Sequence, residues 1–255
     1  MTELKNVHAG YGKTEILHGI NLKIPAGAVM TVIGHNGCGK STLLKTMLGM
    51  LPMTEGEISL DGISVKNSTP REIAKKAAYL SQFRQCGDIS VERLVLHGRF
   101  PYLSYPRKYG KKDYEAARAA MERMGINDLC ERPLRTLSGG MIQKAYIAMA
   151  LAQNASVILM DEPNSYLDIG QQFKFMQTVR ELAKSGKTVV LVLHDLIMAL
   201  SYSDTIAVMD EGRIVSCITP PEFMKSELPE KLFGVSIKSL ETENGKQYYY
   251  DVKRN

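Results

Sequence analysis

Nine consecutive residues, Gly34-His35-Asn36-Gly37-Cys38-Gly39-Lys40-Ser41-Thr42, place a glycine, four residues, and then Gly-Lys-Ser in one loop. Glycines at these positions let the backbone curl until successive N–H groups point at one centre, which suits phosphate oxygens. Lys40 has the reach to meet the β- and γ-phosphates of a nucleoside triphosphate such as ATP, and the Ser41 hydroxyl can ligate Mg²⁺. The loop follows a short apolar, β-branched run at 28–33. It opens a stretch, 40–50, that carries Leu43, Leu44, Met47 and Leu48 at helical spacing. A helix starting there adds its dipole and unpaired N–H groups to the loop. A chance glycine-rich turn would not need a strand before it and a helix after it. His35 and Cys38 fill variable positions of the pattern, where simple tolerance outweighs a metal or redox role.

Other groups could work on the same phosphates. Val157-Ile158-Leu159-Met160-Asp161-Glu162 is four apolar residues followed by two carboxylates. Such a strand end brings Asp161 to the phosphate loop, where it can hold Mg²⁺ directly or through water. Side chains alternate along a strand, so Glu162 is expected to point elsewhere, toward an attacking water. Standing alone, the pair would read as a solvated strand terminus. A second apolar run, 189–193, leads into His194-Asp195. A lone histidine is usually structural, but beside a nucleotide loop and a Mg²⁺ acid the favoured reading is a hydrogen bond from His194 to the γ-phosphate. Leu137-Ser138-Gly139-Gly140 precedes a helix from Met141 and again exposes a hydroxyl and small residues at a helix start. Any helix cap can look like this, yet this one lies 23 residues before Asp161 and after the phosphate loop, and that order makes it specific.

These groups need a scaffold. Apolar runs alternate with amphipathic stretches, the pattern of an α/β protein with a largely parallel sheet. The runs at 28–33, 157–160 and 189–193 suit strands covered on both faces. Residues 3–11, 16–24 and 57–65 read as a small antiparallel layer, and 90–154 as mainly helical, with long amphipathic stretches at 114–124 and 141–153. From residue 235 the tail alternates loosely and ends in Tyr248-Tyr249-Tyr250, which predicts a final hairpin.

Bulk properties set the bounds. The 255 residues are 44% hydrophobic and 23% charged with a formal net charge of +5, ordinary for a globular protein with a sizeable core. No run reaches the roughly 18–20 apolar residues of a membrane-spanning helix. The opening Met-Thr-Glu-Leu-Lys lacks an apolar signal core, and Cys38, Cys86, Cys130 and Cys217 lack paired ligand spacing. Both features predict a cytoplasmic chain with free thiols.

Taken together, these motifs resemble the ATP-binding cassette family over nearly the whole chain. The resemblance implies a P-loop nucleotide hydrolase core of α/β class, with an antiparallel β layer and an inserted helical subdomain. On this chain that gives one ATPase domain, 1–255. Core and β layer occupy 1–82 and 156–234, the helical subdomain 83–155, and the tail 235–255. Gly34 to Thr42 is similar to the Walker A loop, 157–162 to Walker B, and Ser138, Gly139 and Gly140 to the signature motif. Gln82, after the strand-like Ala78-Tyr79-Leu80-Ser81, resembles the Q-loop glutamine, a further Mg²⁺ ligand. Asp168 resembles the D-loop aspartate, His194 the switch histidine, and Tyr11 the aromatic that stacks on adenine. The resemblance further implies a head-to-tail homodimer, with each ATP between Walker A of one copy and the signature of the other. Lys40, Gln82, Glu162 and His194 would carry the catalysis.

Leu96-His97-Gly98-Arg99-Phe100-Pro101-Tyr102, residues 147–153 and Leu232-Phe233-Gly234-Val235 resemble the ATPases of bacterial importers for iron–siderophore, haem or vitamin B12. That implies peripheral attachment to the inner face of the cell membrane, permease subunits as partners and, indirectly, a substrate-binding protein. Phe100, Tyr102, Arg107 and Lys108 lack the spacing of a core helix and are expected to form the exposed permease-docking surface. Two departures stand out: Met141-Ile142-Gln143-Lys144 where the family commonly has Gln-Arg-Gln-Arg, and Asn164 in place of a threonine. A soluble cassette ATPase of the iron–sulfur assembly type is the alternative. The basic, aromatic stretch 99–112 could suit nucleic acid, but long coiled coils and tandem cassettes are both missing, so no nucleic-acid partner is expected.

Overall fold

The chain opens with a hairpin of β1 (Thr2–Tyr11) and β2 (Thr14–Ile24). Thr2, Leu4, Val7 and Ala9 are all buried, although an odd-numbered pair follows an even-numbered one. A register shift between Leu4 and Val7, with Asn6 at φ +47°, slips the strand by one residue and keeps its apolar face on the core. The computed structural model describes residues 1–81, 88–165, 167–243 and 245–251.

After the hairpin come β3 (Val29–Ile33), α1 (Lys40–Met47), β4 (Met53–Leu60) and β5 (Ile63–Ser64). Gly49, at φ +66°, follows the end of α1, which stops short of the 40–50 expected from its periodicity. α2 (Pro70–Lys76), opened by a Thr69/Glu72 capping box, runs straight into β6 (Ala77–Leu80). Three more helices follow: α3 (Val91–His97), α4 (Lys111–Arg123) and α5 (Gly139–Ala152). The chain then alternates through β7 (Val157–Asp161), α6 (Ile169–Lys184), β8 (Thr188–Val192), α7 (Leu196–Tyr202), β9 (Thr205–Asp210) and β10 (Arg213–Ile218). It closes with α8 (Pro220–Lys225), α9 (Leu228–Phe233) and a hairpin of β11 (Ser236–Thr242) and β12 (Gly245–Asp251).

Two sheets do most of the work. One is antiparallel, in the order β2-β1-β4-β5; the other runs β10-β9-β3-β8-β7-β6 and is parallel except for its edge strand β10. Every residue of β3, β7 and β8 is buried. Met30, Val32, Val190 and Val192 face one apolar cluster, shared with α1 and the antiparallel layer. Val29, Ile33, Val189 and Leu191 face the other, shared with α3 to α7. Alternation across the pleat thus divides the strands between two cores. Burying each such side chain contributes about 1.5–3 kcal/mol. The mixed α/β architecture, with an antiparallel layer and a helical insertion between β6 and β7, is that expected from the sequence.

Candidate functional site

β3, β8 and β7 are adjacent and parallel, so the segments leaving their carboxyl ends share one rim, where α/β sheets bind ligands. Gly34 leaves β3 so close to β9 that a Cβ there would lie 2.1 Å from the Met209 carbonyl oxygen. Only glycine fits. Gly39 is the N-cap of α1 at φ +105°, again a glycine conformation, and no side chain caps that helix. The first-turn N–H groups of α1 are therefore left for a ligand. Lys40 is 5% exposed, and its ammonium donates to the carbonyls of Gly34 (2.9 Å) and His35 (2.8 Å), which hold the cation inside the loop. Burial pushes the Cys38 thiol up, so it sits in the loop as a neutral group. Tyr11, Ile16, Asn36, Gly37, Gly39, Lys40, Ser41, Thr42 and Glu162 line a single open cleft.

Asp161 ends β7 and is 5% exposed. Its Oδ2 accepts a hydrogen bond from the Tyr79 hydroxyl at 3.2 Å, whereas Oδ1 is buried with no partner among the described residues. A buried carboxylate oxygen without a partner is costly unless a ligand takes it up. Among the described residues no three His, Cys, Asp or Glu side chains gather into a metal cage. One carboxylate oxygen and the Ser41 hydroxyl on the cleft wall suit Mg²⁺, which keeps waters and phosphate oxygens among its ligands.

Glu162 diverges from Asp161 for a reason the sequence did not show. β7 stops at Asp161 and Glu162 sits at φ +45°, so a backbone turn redirects it, not strand alternation. A left-handed glutamate stores strain of about 1–3 kcal/mol and is typical of functional sites. Its Oε1 lies 2.6 Å from His194 Nε2. His194 itself lies two residues beyond the end of β8 and is 45% exposed at its side chain. The expected γ-phosphate donor is thus docked on the expected water-orienting acid.

Ser138, Gly139, Gly140 and Asp168 are not among the residues that line this cleft. Ser138 caps α5, its Oγ accepting from the Met141 N–H at 3.4 Å, with Gly139 exposed and Gly140 against Gln171. Asp168 caps α6, accepting from the Gln171 N–H at 2.9 Å. Neither group lines the cleft of its own chain. Gln143, which is 3% exposed, donates to the Pro163 carbonyl and so ties α5 to the turn after Glu162. Gln82 and Phe83 fall outside the described residues.

The expected docking surface divides. Phe100 is half exposed beneath the Arg107 guanidinium, 4.7 Å from its ring centroid, and Tyr105, Arg107 and Lys108 are exposed. Tyr102 does not belong with them. Its hydroxyl donates to the Gln153 carbonyl at 3.0 Å and its ring lies 3.9 Å from the Arg99 guanidinium, which also holds Asp113 and the Ala152 carbonyl. Tyr102 therefore straps its loop to the end of α5. The lack of helical spacing pointed to an exposed segment; long-range hydrogen bonds to carbonyls at a helix end leave no such signature.

Sequence reasoning also passed over two contacts of the C-terminal region. The Tyr250 hydroxyl accepts from the Leu196 N–H at 3.3 Å, two residues beyond His194, and the Phe233 ring lies 5.6 Å from that of His35.

The model of the ABC transporter family matches residues 17–165. The chain is 38% identical over 228 residues to the ferric enterobactin transport ATP-binding protein FepC of Escherichia coli (strain K12), covering 89% of this chain and 84% of that one. It is 37% identical over 233 residues to the petrobactin import ATP-binding protein FpuD of Bacillus anthracis, with 91% and 85% covered. In fold it is similar to a solved metal-chelate type ABC transporter in an inward-facing conformation, with TM-score 0.84, 24% identity and 99% and 98% of the two chains covered.

Proposed function

The chain belongs to the ABC transporter family, as an ATP-binding subunit, and we propose that its hydrolysis of ATP powers uptake of a ferric siderophore or related metal chelate through partner permease subunits. What carries the substrate class is its likeness, over about nine-tenths of its length, to subunits named for ferric enterobactin transport and petrobactin import. Among the described residues no helix is long and apolar enough to cross a membrane. The subunit is assigned to the inner face of the cell membrane, held there by the permease, with a substrate-binding protein delivering the chelate from outside.

The chain's own groups divide the reaction. Tyr11 stacks on the adenine, the loop from Gly34 to Thr42 wraps the phosphates, and Lys40 neutralises them. Ser41, Asp161 and Gln82 would hold Mg²⁺, which would offset charge developing on the phosphates. Glu162 orients the attacking water and accepts its proton, and His194 positions Glu162 and reaches toward the γ-phosphate. Ser138, Gly139 and Gly140 do not line the cleft of their own chain, which suits a role in a second copy. One chain carries one full motif set, so a two-fold homodimer completes two sites, with Asp168 beside the junction.

Residues 83–155 are assigned as the subdomain that turns during the cycle. Its exposed Phe100, Tyr105 and Arg107 form the docking patch for a cytoplasmic segment of the permease. Exposed aromatic and arginine side chains are the usual anchors of such contacts. In a co-expressed complex, Phe100→Ala and Arg107→Glu should each weaken permease association by about tenfold or more, at about 1.4 kcal/mol per decade. ATP binding by the isolated subunit should stay intact. Undiminished co-purification of both variants with the permease would move the docking site elsewhere.

A further inference from the structure

The two oxygens of Asp161 are treated differently by the fold. Oδ2 is bonded to the Tyr79 hydroxyl and Oδ1 is buried without a partner among the described residues. Tyr79 lies on β6, which pairs in parallel with β7 and places Tyr79 beside Leu159, two residues before Asp161. Its ring packs against the apolar cluster beneath the phosphate loop's helix. Nothing in the reaction assigned above uses this side chain.

A carboxylate at a strand end can turn about its terminal torsion, which has broad, roughly two-fold wells. Turning would exchange the two oxygens and misplace the lone pairs needed for a cation of near-octahedral demand. A hydrogen bond to one oxygen removes that freedom. Partners of this kind, one shell out from a metal, typically cost about 10–100-fold in metal affinity or activity when lost.

We propose that Tyr79 is a positioning residue for the Mg²⁺ site: its hydroxyl pins Asp161 Oδ2 so that Oδ1 is presented toward the cation held between the nucleotide and Ser41. The proposal rests on the reading of Asp161 as a Mg²⁺ ligand, and the test separates the two. Tyr79→Phe removes one oxygen and keeps the ring in its apolar bed, so the fold should hold. With Mn²⁺ as the probe, titrated into the protein–ADP complex and followed by electron paramagnetic resonance, the variant should bind the ion about tenfold more weakly. Binding of ADP in excess chelator, and the thermal midpoint, should match the parent protein. In ATPase assays the half-saturating Mg²⁺ concentration should rise by a similar factor, with activity recovering as Mg²⁺ is raised.

Asp161→Asn supplies the reference arm. It should weaken Mn²⁺ by itself, and adding Tyr79→Phe to it should cost nothing further, because the two groups act as one unit. Unchanged Mn²⁺ affinity in Tyr79→Phe, alongside a clear loss in Asp161→Asn, would overturn the positioning role and leave the metal site standing. Unchanged affinity in Asp161→Asn would overturn the metal-site reading, and with it the proposal. A loss of metal-free ADP binding in Tyr79→Phe equal to its loss of Mn²⁺ binding would show a merely structural tyrosine and also overturn the proposal.

Discussion

Replacing Lys40 with alanine is expected to abolish ATP turnover and to weaken ATP binding by at least about a hundredfold. The ammonium is buried in the loop and held by the carbonyls of Gly34 and His35, so it is already placed for phosphate oxygens. Two charge-assisted hydrogen bonds at about 1.5–3 kcal/mol each are lost with it, and each 1.4 kcal/mol is a factor of ten. Alanine also leaves the two carbonyls without a donor, which could loosen the loop for reasons unrelated to phosphate. Lys40→Met keeps the apolar stem packed in the loop but removes the ammonium and its donors as alanine does, so it should lose nearly as much, and an unchanged thermal midpoint would show that the loop is intact. Calorimetric titration with ATP, beside a phosphate-release assay, reads both quantities. ATP affinity within threefold of the parent in the methionine variant would contradict the assigned role.

The second large effect belongs to Glu162. Glu162→Gln should lower turnover by about 10²–10⁴-fold, the usual contribution of a positioned general base, while leaving ATP affinity nearly unchanged. The amide keeps the size of the side chain and can still meet His194, whose Nε2 lies 2.6 Å from Glu162 Oε1. What it lacks is a carboxylate to take the proton. With hydrolysis stalled, ATP should hold two copies together, and the variant should elute as a dimer in ATP and as a monomer in ADP. Parent-level turnover would place the base elsewhere. Stalled turnover without an ATP-dependent dimer would contradict the two-copy site.

Much of the site could be read along the chain because its geometry is local. Gly34 to Thr42 encodes strand, loop and helix within nine positions, and a P-loop leaves few conformational alternatives. Asp161 and His194 were legible because each follows an apolar run that can only be a buried strand. The antiparallel layer was legible as short strand-like stretches at 3–11, 16–24 and 57–65, although nothing in the sequence announced the slip at Asn6. Relations between distant residues were not legible. Tyr79 reaches Asp161, Tyr102 reaches Gln153, Gln143 reaches Pro163 and Tyr250 reaches Leu196, and none of these pairs shares a helix or strand. The turn at Glu162 was also hidden, since a positive φ at a non-glycine residue is imposed by its surroundings. β9, β10 and the short helices after them escaped the reading, although β9 carries an apolar run, 206–209, of the same kind as that of β7.

The central claim is that hydrolysis in the cleft of Lys40, Ser41 and Glu162 drives chelate inward through a partner permease. It is tested most directly by uptake of a radioactive ferric siderophore into proteoliposomes that contain the permease and this subunit, with ATP inside and the substrate-binding protein outside. Uptake should require internal ATP in the parent complex and fall to the ATP-free level when the subunit carries Glu162→Gln. Uptake that proceeds equally with the parent and the Glu162→Gln subunit would contradict the account.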